Sequence, residues 1–193
     1  MSQHFDAGRL LSALPYCPIS ARGNLLDGYE PPVWRYPALG AYNGFSGQQR
    51  VKTWQLGTWL RRRGLLTVAP ACELCGRSSR LGLHSENYAD VERSVTICSG
   101  CHLALHRRFR QPSLWGETLG RCPRAPEWAL ALSPIQFDLS QWLASVGAPT
   151  DPFEGLSRQF PLDKTIVRAA WTNRFGHGSS QSDLFHPHTT PSA

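Results

Sequence analysis

The chain has 193 residues, enough for one medium-sized domain or two small ones with a buried core. Hydrophobic residues make up 41% and charged residues 18%, with seven Trp and eight Phe, which excludes a disordered chain. No apolar run of membrane-spanning length is present, and the first residues lack the basic start and apolar stretch of a secretory signal. We therefore expect a cytoplasmic protein without a membrane span.

The net charge of +6 rests almost entirely on arginine, because the sequence contains 18 Arg and two Lys. Residues 50–124 contain 13 basic and five acidic residues, whereas the remainder contains seven basic and nine acidic ones. Arginine binds phosphate through two parallel N–H groups and stacks on flat groups, which lysine cannot do. This basic block indicates a polyanionic partner, and a solvated basic face is the alternative that charge alone leaves open.

Residues 1–47 are rich in proline, glycine and aromatic side chains, so we expect an irregular N-terminal segment wrapped on the core. A basic helix and connector are predicted over residues 48–71, with Ser46 as a cap and Gly64 as the stop. The residues that fall on one helical stripe are Val51, Trp54, Gln55, Thr58 and Trp59.

The C-terminal part of the sequence is punctuated by prolines, which keep its helices short. We expect residues 111–175 to pack against the rest of the protein. Within them a helix is predicted at about 138–146, from Asp138 as cap to Gly147. Residues 176–193 have the composition of a flexible tail.

Two CxxC pairs, Cys72/Cys75 and Cys98/Cys101, are separated by 22 residues. Two such pairs supply the four thiolates of a closed, tetrahedral Zn²⁺ site, so a structural zinc is predicted. Disulfides and a redox motif are the alternatives. A cytosolic chain disfavours disulfides, and no strand-and-helix redox pattern surrounds the pairs.

Three histidines, His84, His102 and His106, lie within the same segment. On a helix that begins near Cys98, His102 and His106 share one face. Since each residue turns the helix by about 100°, His102 lies about 100° around the helix from Cys101. This second face could hold a second metal ion, with His84 as a further ligand from a preceding hairpin. The alternative is that the histidines only form hydrogen bonds.

The sequences CELCG, LGLHSENY and VTICSGCHLALHRRF together resemble the zinc-knuckle branch of the HNH endonucleases, over residues 72–109. The resemblance implies an α+β fold. It places a small ββα-metal module of the HNH, or His-Me finger, type at residues 72–110, with a four-cysteine structural zinc. The surround is expected to be mostly helical or irregular.

The resemblance also implies an activity, the metal-dependent hydrolysis of DNA phosphodiester bonds. In that family Mg²⁺ or another divalent metal grips the scissile phosphate, and a hairpin histidine deprotonates the attacking water. Carried over to this sequence, His84 is the hairpin histidine, and His102 and His106 are metal ligands on the helix. Glu86 and Asn87 could orient His84 or the waters of the metal, or lie in a solvated turn.

Two registers are open for the histidine pair that many members of the family carry. If the pair is Leu83–His84, His84 is the general base and one metal ligand is missing. If the pair is His84–Ser85, His84 is a ligand and Ser85 cannot serve as a base. Ser85, together with Arg93 where asparagine is common, motivates an alternative function: a catalytically degenerate, zinc-stabilised DNA-binding or assembly protein.

Clustered arginines flank the proposed phosphate site and are predicted to contact the nucleic acid backbone without reading its sequence. They are Arg61, Arg62, Arg63, Arg107, Arg108 and Arg110. For each one taken alone, a solvated surface charge is the alternative. DNA is the expected partner, with RNA left open, and the segments outside the module could carry target specificity or the interface of a homodimer.

Overall fold

The computed structural model describes residues 5–20, 25–160 and 162, so the predicted tail at 176–193 lies outside the described residues. The fold is α+β, with short helices around a two-stranded antiparallel sheet. The helices are α1 (Ala7–Ala13), α2 (Gly47–Arg62), α3 (Ser99–Arg107), α4 (Pro112–Gly120), α5 (Glu127–Leu130), α6 (Leu139–Ser145) and α7 (Pro152–Ser157). The strands are β1 (Leu81–Ser85) and β2 (Ser94–Cys98).

The hairpin of β1 and β2 leads directly into α3. The strands pair in a register that sets Leu81 opposite Cys98 and His84 opposite Val95. Every residue of β2 is buried, and Cys98 both ends this strand and caps α3. No loop separates β2 from α3, and this direct junction fixes the helix relative to the sheet.

The long helix α2 confirms the helix predicted after Ser46. The Ser46 hydroxyl accepts the Gln49 N–H at 3.2 Å, and the Gln49 side chain accepts the Ser46 N–H at 2.8 Å, which together form a capping box. The buried residues of α2 are Val51, Thr53, Gln55, Leu56, Gly57, Trp59 and Leu60. The predicted stripe is therefore divided, because Trp54 is 39% exposed and lines a cavity together with Thr58.

The hydrophobic core consists of two clusters on either side of the hairpin. One cluster contains Val95 of β2 and Leu105 of α3, together with residues of α1, α4, α5 and α6. The other contains Leu56 and Leu60 of α2 with residues of α7, and Leu83 of β1 packs against it. The hairpin thus contributes to both clusters and is held from both sides.

The N-terminal segment, predicted over 1–47 as irregular, contains the short helix α1. Asp6 caps this helix by accepting a backbone N–H at 2.9 Å. Arg93, just before β2, donates hydrogen bonds of 3.1 Å to two carbonyl groups at the end of α1. Seven residues give too few turns for a periodic sequence signal, and tertiary contacts of this kind stabilise the helix instead.

The C-terminal helices confirm the effect of proline in that region. Pro112 and Pro152 stand in the first turns of α4 and α7, where a missing N–H costs no hydrogen bond. Helix α6 confirms the helix predicted at about 138–146, and Asp138 caps it by accepting the N–H of Gln141 at 2.7 Å. Among the described residues, no helix has both the length and the apolar character needed to cross a lipid bilayer.

Candidate functional site

The four cysteines of the two CxxC pairs, Cys72, Cys75, Cys98 and Cys101, come together as one cluster. Their Sγ atoms all lie within 4.8 Å of one another, and the Sγ atoms of Cys75 and Cys98 are 3.6 Å apart. Gly76 follows the first pair with φ at +74°, a left-handed conformation that glycine adopts without strain. The cluster offers four convergent thiol groups and could hold one metal ion.

The first pair is fixed against β2 by hydrogen bonds of the backbone and of the Glu73 side chain. The Glu73 N–H donates to the Thr96 carbonyl at 2.8 Å, and the Thr96 N–H donates to the Glu73 carboxylate at 2.6 Å. The N–H of Ser99, at the start of α3, donates to the Arg80 carbonyl at 3.0 Å. These contacts bring the two pairs together across the residues that separate them in the sequence.

The three histidines of the segment form a second cluster, the histidine triad: His84 on β1 and His102 and His106 on α3. Nδ1 of His84 lies 3.3 Å from Nε2 of His102, which lies 2.9 Å from Nε2 of His106. All three nitrogens fit within 4.8 Å of one another, so they could hold one metal ion. The cysteines and the histidine triad therefore form two separate clusters that share α3.

Glu86 orients the first ring of the triad. Its Oε2 lies 2.9 Å from Nε2 of His84, and both side chains are buried. With its proton on Nε2, the His84 ring donates a hydrogen bond to the carboxylate and presents its Nδ1 lone pair to the other two histidines. The structure thus favours the orienting role of Glu86 over a solvated turn. Asn87 instead accepts the N–H of Ala89 at 3.0 Å and closes the turn after β1.

The carboxylate of Glu86 is itself held by three further side chains. Arg108 and Asn43 donate to Oε1, and the Tyr42 hydroxyl donates to Oε2 at 3.2 Å. Burial raises the pKa of Glu86, but Arg108 and His84 more than offset this and hold its pKa at about 2. The residue is therefore an ionised, fully paired buried carboxylate at neutral pH.

Arg108 is a correction to the predicted set of phosphate-binding arginines. Its side chain is 2% exposed and forms an ion pair with Glu86, and its Nε donates to the Ser133 carbonyl at 2.8 Å. A cation that is enclosed in this way has no surface on which to meet a phosphate. The adjacent Arg107 is exposed, so the two neighbours in sequence have opposite environments.

The two helical histidines have environments that keep them neutral. Burial, with smaller contributions from the neighbouring His84 and Arg50, lowers the pKa of His102 to about 3 and that of His106 to about 2. A neutral imidazole retains the lone pair that a metal ion requires. Both side chains are therefore in the protonation state of a ligand at neutral pH.

A cavity of about 430 Å³ opens beside the histidine triad. Residues of α2 form one wall and residues of β1 the other, and His102 and His106 reach into it from α3. The α2 wall includes Arg50, Trp54 and Arg61, which follow one side of the helix at positions i, i+4 and i+11. The volume is within the range of pockets that take small ligands, about 300–1,000 Å³.

The remaining predicted arginines differ in their surroundings. Arg61 lines the cavity of the histidine triad. Arg62, Arg107 and Arg110 are exposed. Arg63 is exposed overall, but its Nη2 donates to the Asp27 carbonyl at 2.8 Å and its guanidinium lies over the Trp59 ring.

Three residues of the site are absent from the sequence-based prediction: Tyr42, Asn43 and Arg50. Arg50 shares the cavity side of α2 with Trp54, so helical spacing could have revealed it. Tyr42 and Asn43 contact Glu86 across more than 40 residues of sequence. Since no local pattern marks such a distant contact, only the fold reveals them.

Comparison of the chain with protein-family models, curated proteins and solved structures finds no match. The chemistry of the site is therefore inferred from its own residues and distances. Within the described residues, the four-cysteine cluster and the histidine triad are the groups whose geometry suits a metal ion.

We predict that Cys75→Ser destabilises the protein strongly, whereas Cys17→Ser has little effect. Cys75 is exposed and Cys17 is partly buried, so loss of packing alone would give the opposite order. If the cluster holds a structural metal ion, loss of one thiolate ligand opens a site that contributes directly to folding. Thermal unfolding and metal analysis of the purified proteins test this. Equal melting temperatures, or equal zinc contents, for the two variants would contradict a structural metal at the cysteine cluster.

We predict that Arg108→Met costs about 3–5 kcal/mol of unfolding free energy, because it leaves the buried charge of Glu86 without its cation. Arg107→Met is the matched control on the neighbouring, exposed position and should change stability by less than about 0.5 kcal/mol. Urea unfolding of both variants gives the two values. Similar losses for the two substitutions would show that Arg108 is not the partner on which Glu86 depends.

Proposed function

We propose that the protein is a metal-dependent endonuclease of the HNH type that hydrolyses DNA phosphodiester bonds. The observation that carries this proposal is the histidine triad, which converges at one side of a cavity lined by Arg50 and Arg61. Hydrolysis of a phosphodiester needs a Lewis acid, an activated water and cations for the phosphate charge. The histidine triad could hold a metal ion that serves as Lewis acid and activates water, and the two arginines could balance the phosphate charge.

The donor chemistry of the two clusters favours different ions. Four thiolates suit Zn²⁺ in a closed structural site. Three neutral imidazoles suit Zn²⁺, Ni²⁺ or another transition ion better than Mg²⁺, which prefers oxygen ligands. We therefore place the structural zinc at the cysteines and a divalent transition ion at the histidine triad, where it would supply Lewis-acid activation of water and of a phosphate oxygen.

The protein's own residues have distinct parts in this reaction. Glu86 fixes the tautomer and direction of His84 through the 2.9 Å contact with Nε2. His102 and His106 offer neutral nitrogens on one face of α3. Arg61, at the far end of the cavity wall from Arg50, has a free position on the surface from which to contact the phosphate backbone.

The position of His84 favours the register in which the pair is His84–Ser85. Its Nδ1 is grouped with the nitrogens of His102 and His106, which is the place of a ligand. The Ser85 hydroxyl, meanwhile, is buried and lies 2.7 Å from the Ser94 hydroxyl. Ser85 is therefore not available as a ligand. If His84 were instead the general base, only His102 and His106 would remain as protein ligands of the metal.

A second candidate function follows from the lack of a separate general base in the described part of the cavity. Among the described residues that line the cavity there is no carboxylate, and the triad supplies all of the imidazoles. A site with all three histidines used as ligands therefore has no separate general base. This favours, as the alternative, a zinc-stabilised protein that binds DNA or assembles with other proteins without cutting.

We predict that the protein nicks supercoiled plasmid in the presence of Zn²⁺, Ni²⁺ or Mn²⁺. His102→Ala should reduce the rate at least about 100-fold, because it removes a metal ligand. Leu103→Ala is the matched control, since Leu103 is the next residue on α3, is 52% exposed and should leave the rate unchanged. Gel assays of nicked product over time give the rates.

Two further measurements separate the proposed function from its alternative. Failure of the wild-type protein to cut any duplex or single-stranded DNA with any of these ions, while it still retards DNA on a gel, would support the binding protein and overturn the nuclease. If cutting occurs, His84→Ala resolves the role of His84. Loss of both metal binding and cleavage marks a ligand, and loss of cleavage alone marks a general base.

A further inference from the structure

The cavity beside the histidine triad has an aromatic side that the proposed reaction does not use. Trp54 of α2 and Trp34 of the N-terminal segment both line it, with ring centroids 5.2 Å apart and planes at 82°. Trp34 is 8% exposed and its Nε1 donates to the Pro37 carbonyl at 3.2 Å, so its ring is fixed. Trp34 thus supports Trp54 edge-on and leaves part of the Trp54 ring accessible.

The Trp54 side chain is not needed to pack α2 against the core. Seven other residues of this helix are buried, among them Leu56 and Leu60, which are fully enclosed in the core. Trp54 lies outside both hydrophobic clusters of the described residues. A large indole ring that is 39% exposed beside a cavity provides a flat apolar surface for a ligand.

Cations stand on both sides of this ring along the same wall. Arg50 is one helical turn before Trp54, and Arg61 is two turns after it. The wall from Arg50 to Arg61 extends for about 16 Å, at about 1.5 Å per residue of helix. Nη1 of Arg50 donates to the Gly40 carbonyl at 2.7 Å, whereas its buried Nε has no hydrogen-bond partner among the described residues, which leaves that N–H as a donor for a ligand oxygen.

An aromatic ring between two cations, next to candidate ligands for a metal, matches the chemistry of a single nucleic acid strand. Its bases stack on aromatic rings and its phosphates pair with arginines, whereas the bases of a duplex are stacked on one another and cannot reach a ring in a wall. The apolar face of Trp54 and the two arginines are therefore complementary to an unpaired nucleotide.

We propose that the α2 wall binds an unpaired nucleotide of the DNA strand, with its base stacked on Trp54 and a neighbouring phosphate at Arg61. This proposal rests on the proposed function only for the identity of the polymer. It gives the protein a preference for single strands, or for duplexes with locally unpaired bases such as flaps and bubbles, over fully paired DNA.

The test is fluorescence anisotropy with a fluorescein-labelled, single-stranded phosphorothioate oligonucleotide of thymidines, which resists cutting, and with a fully paired, blunt-ended phosphorothioate duplex. We expect Trp54→Ala to weaken binding of the single strand about 5- to 100-fold, as for loss of one stacked base. Trp54→Phe keeps an aromatic face and should stay within about threefold of the wild type. Binding of the paired duplex should change less than about twofold for both variants.

The matched control is Leu130→Ala, which removes an exposed apolar side chain (60% exposed) that does not line the cavity, and which should change neither affinity. Arg61→Gln is an independent arm. It should weaken binding of the single strand and reduce the slope of log affinity against log salt by about 0.7, the value for one phosphate contact.

Equal affinity of Trp54→Ala and the wild type for the single strand would overturn the proposal. So would equal losses for the single strand and the paired duplex, because Trp54 would then act on the fold and not on a base. Cleavage of unmodified strands by the same preparations keeps the two proposals apart. Cutting combined with unchanged binding by Trp54→Ala overturns the base site alone, whereas the expected binding pattern without any cutting overturns the nuclease alone.

Discussion

A single buried carboxylate connects the parts of this protein that form the histidine triad. Glu86 contacts His84 on the hairpin, Arg108 at the end of α3, and Tyr42 and Asn43 in the segment before α2. Removing a carboxylate and a guanidinium from water has a large cost, so such a pair adds little net stability. Its effect here is to fix the direction of one imidazole and the relative positions of three chain segments.

The cysteine cluster and the histidine triad lie on different faces of α3. Cys98 and Cys101 point to the cysteine cluster at the start of the helix, while His102 and His106 lie one turn apart on the side of the cavity. If the cysteines hold a structural zinc, the ion fixes the helix and so fixes the spacing of the histidines. Stability and chemistry then depend on the same nine-residue helix, which places the site on a rigid element.

The features that could be predicted from the sequence are those with a short-range signal. The spacing of the CxxC pairs and the i, i+4 histidines indicated both clusters, and the capping residues Ser46 and Asp138 marked the starts of α2 and α6. The rest depends on contacts between distant segments. Periodicity could not separate Trp54 from the core of α2, and nothing near Arg108 distinguishes its buried guanidinium from the exposed one of Arg107.

We have proposed that the histidine triad is a metal site distinct from the cysteine cluster. Titration of the metal-free protein with Co²⁺, followed by visible and near-ultraviolet absorption, tests it directly, because only thiolate ligands give intense sulfur-to-cobalt charge-transfer bands. We predict two binding events, one with these bands and one without, and loss of the second alone in His106→Ala. A single event with thiolate bands, unchanged by His106→Ala, would contradict the claim.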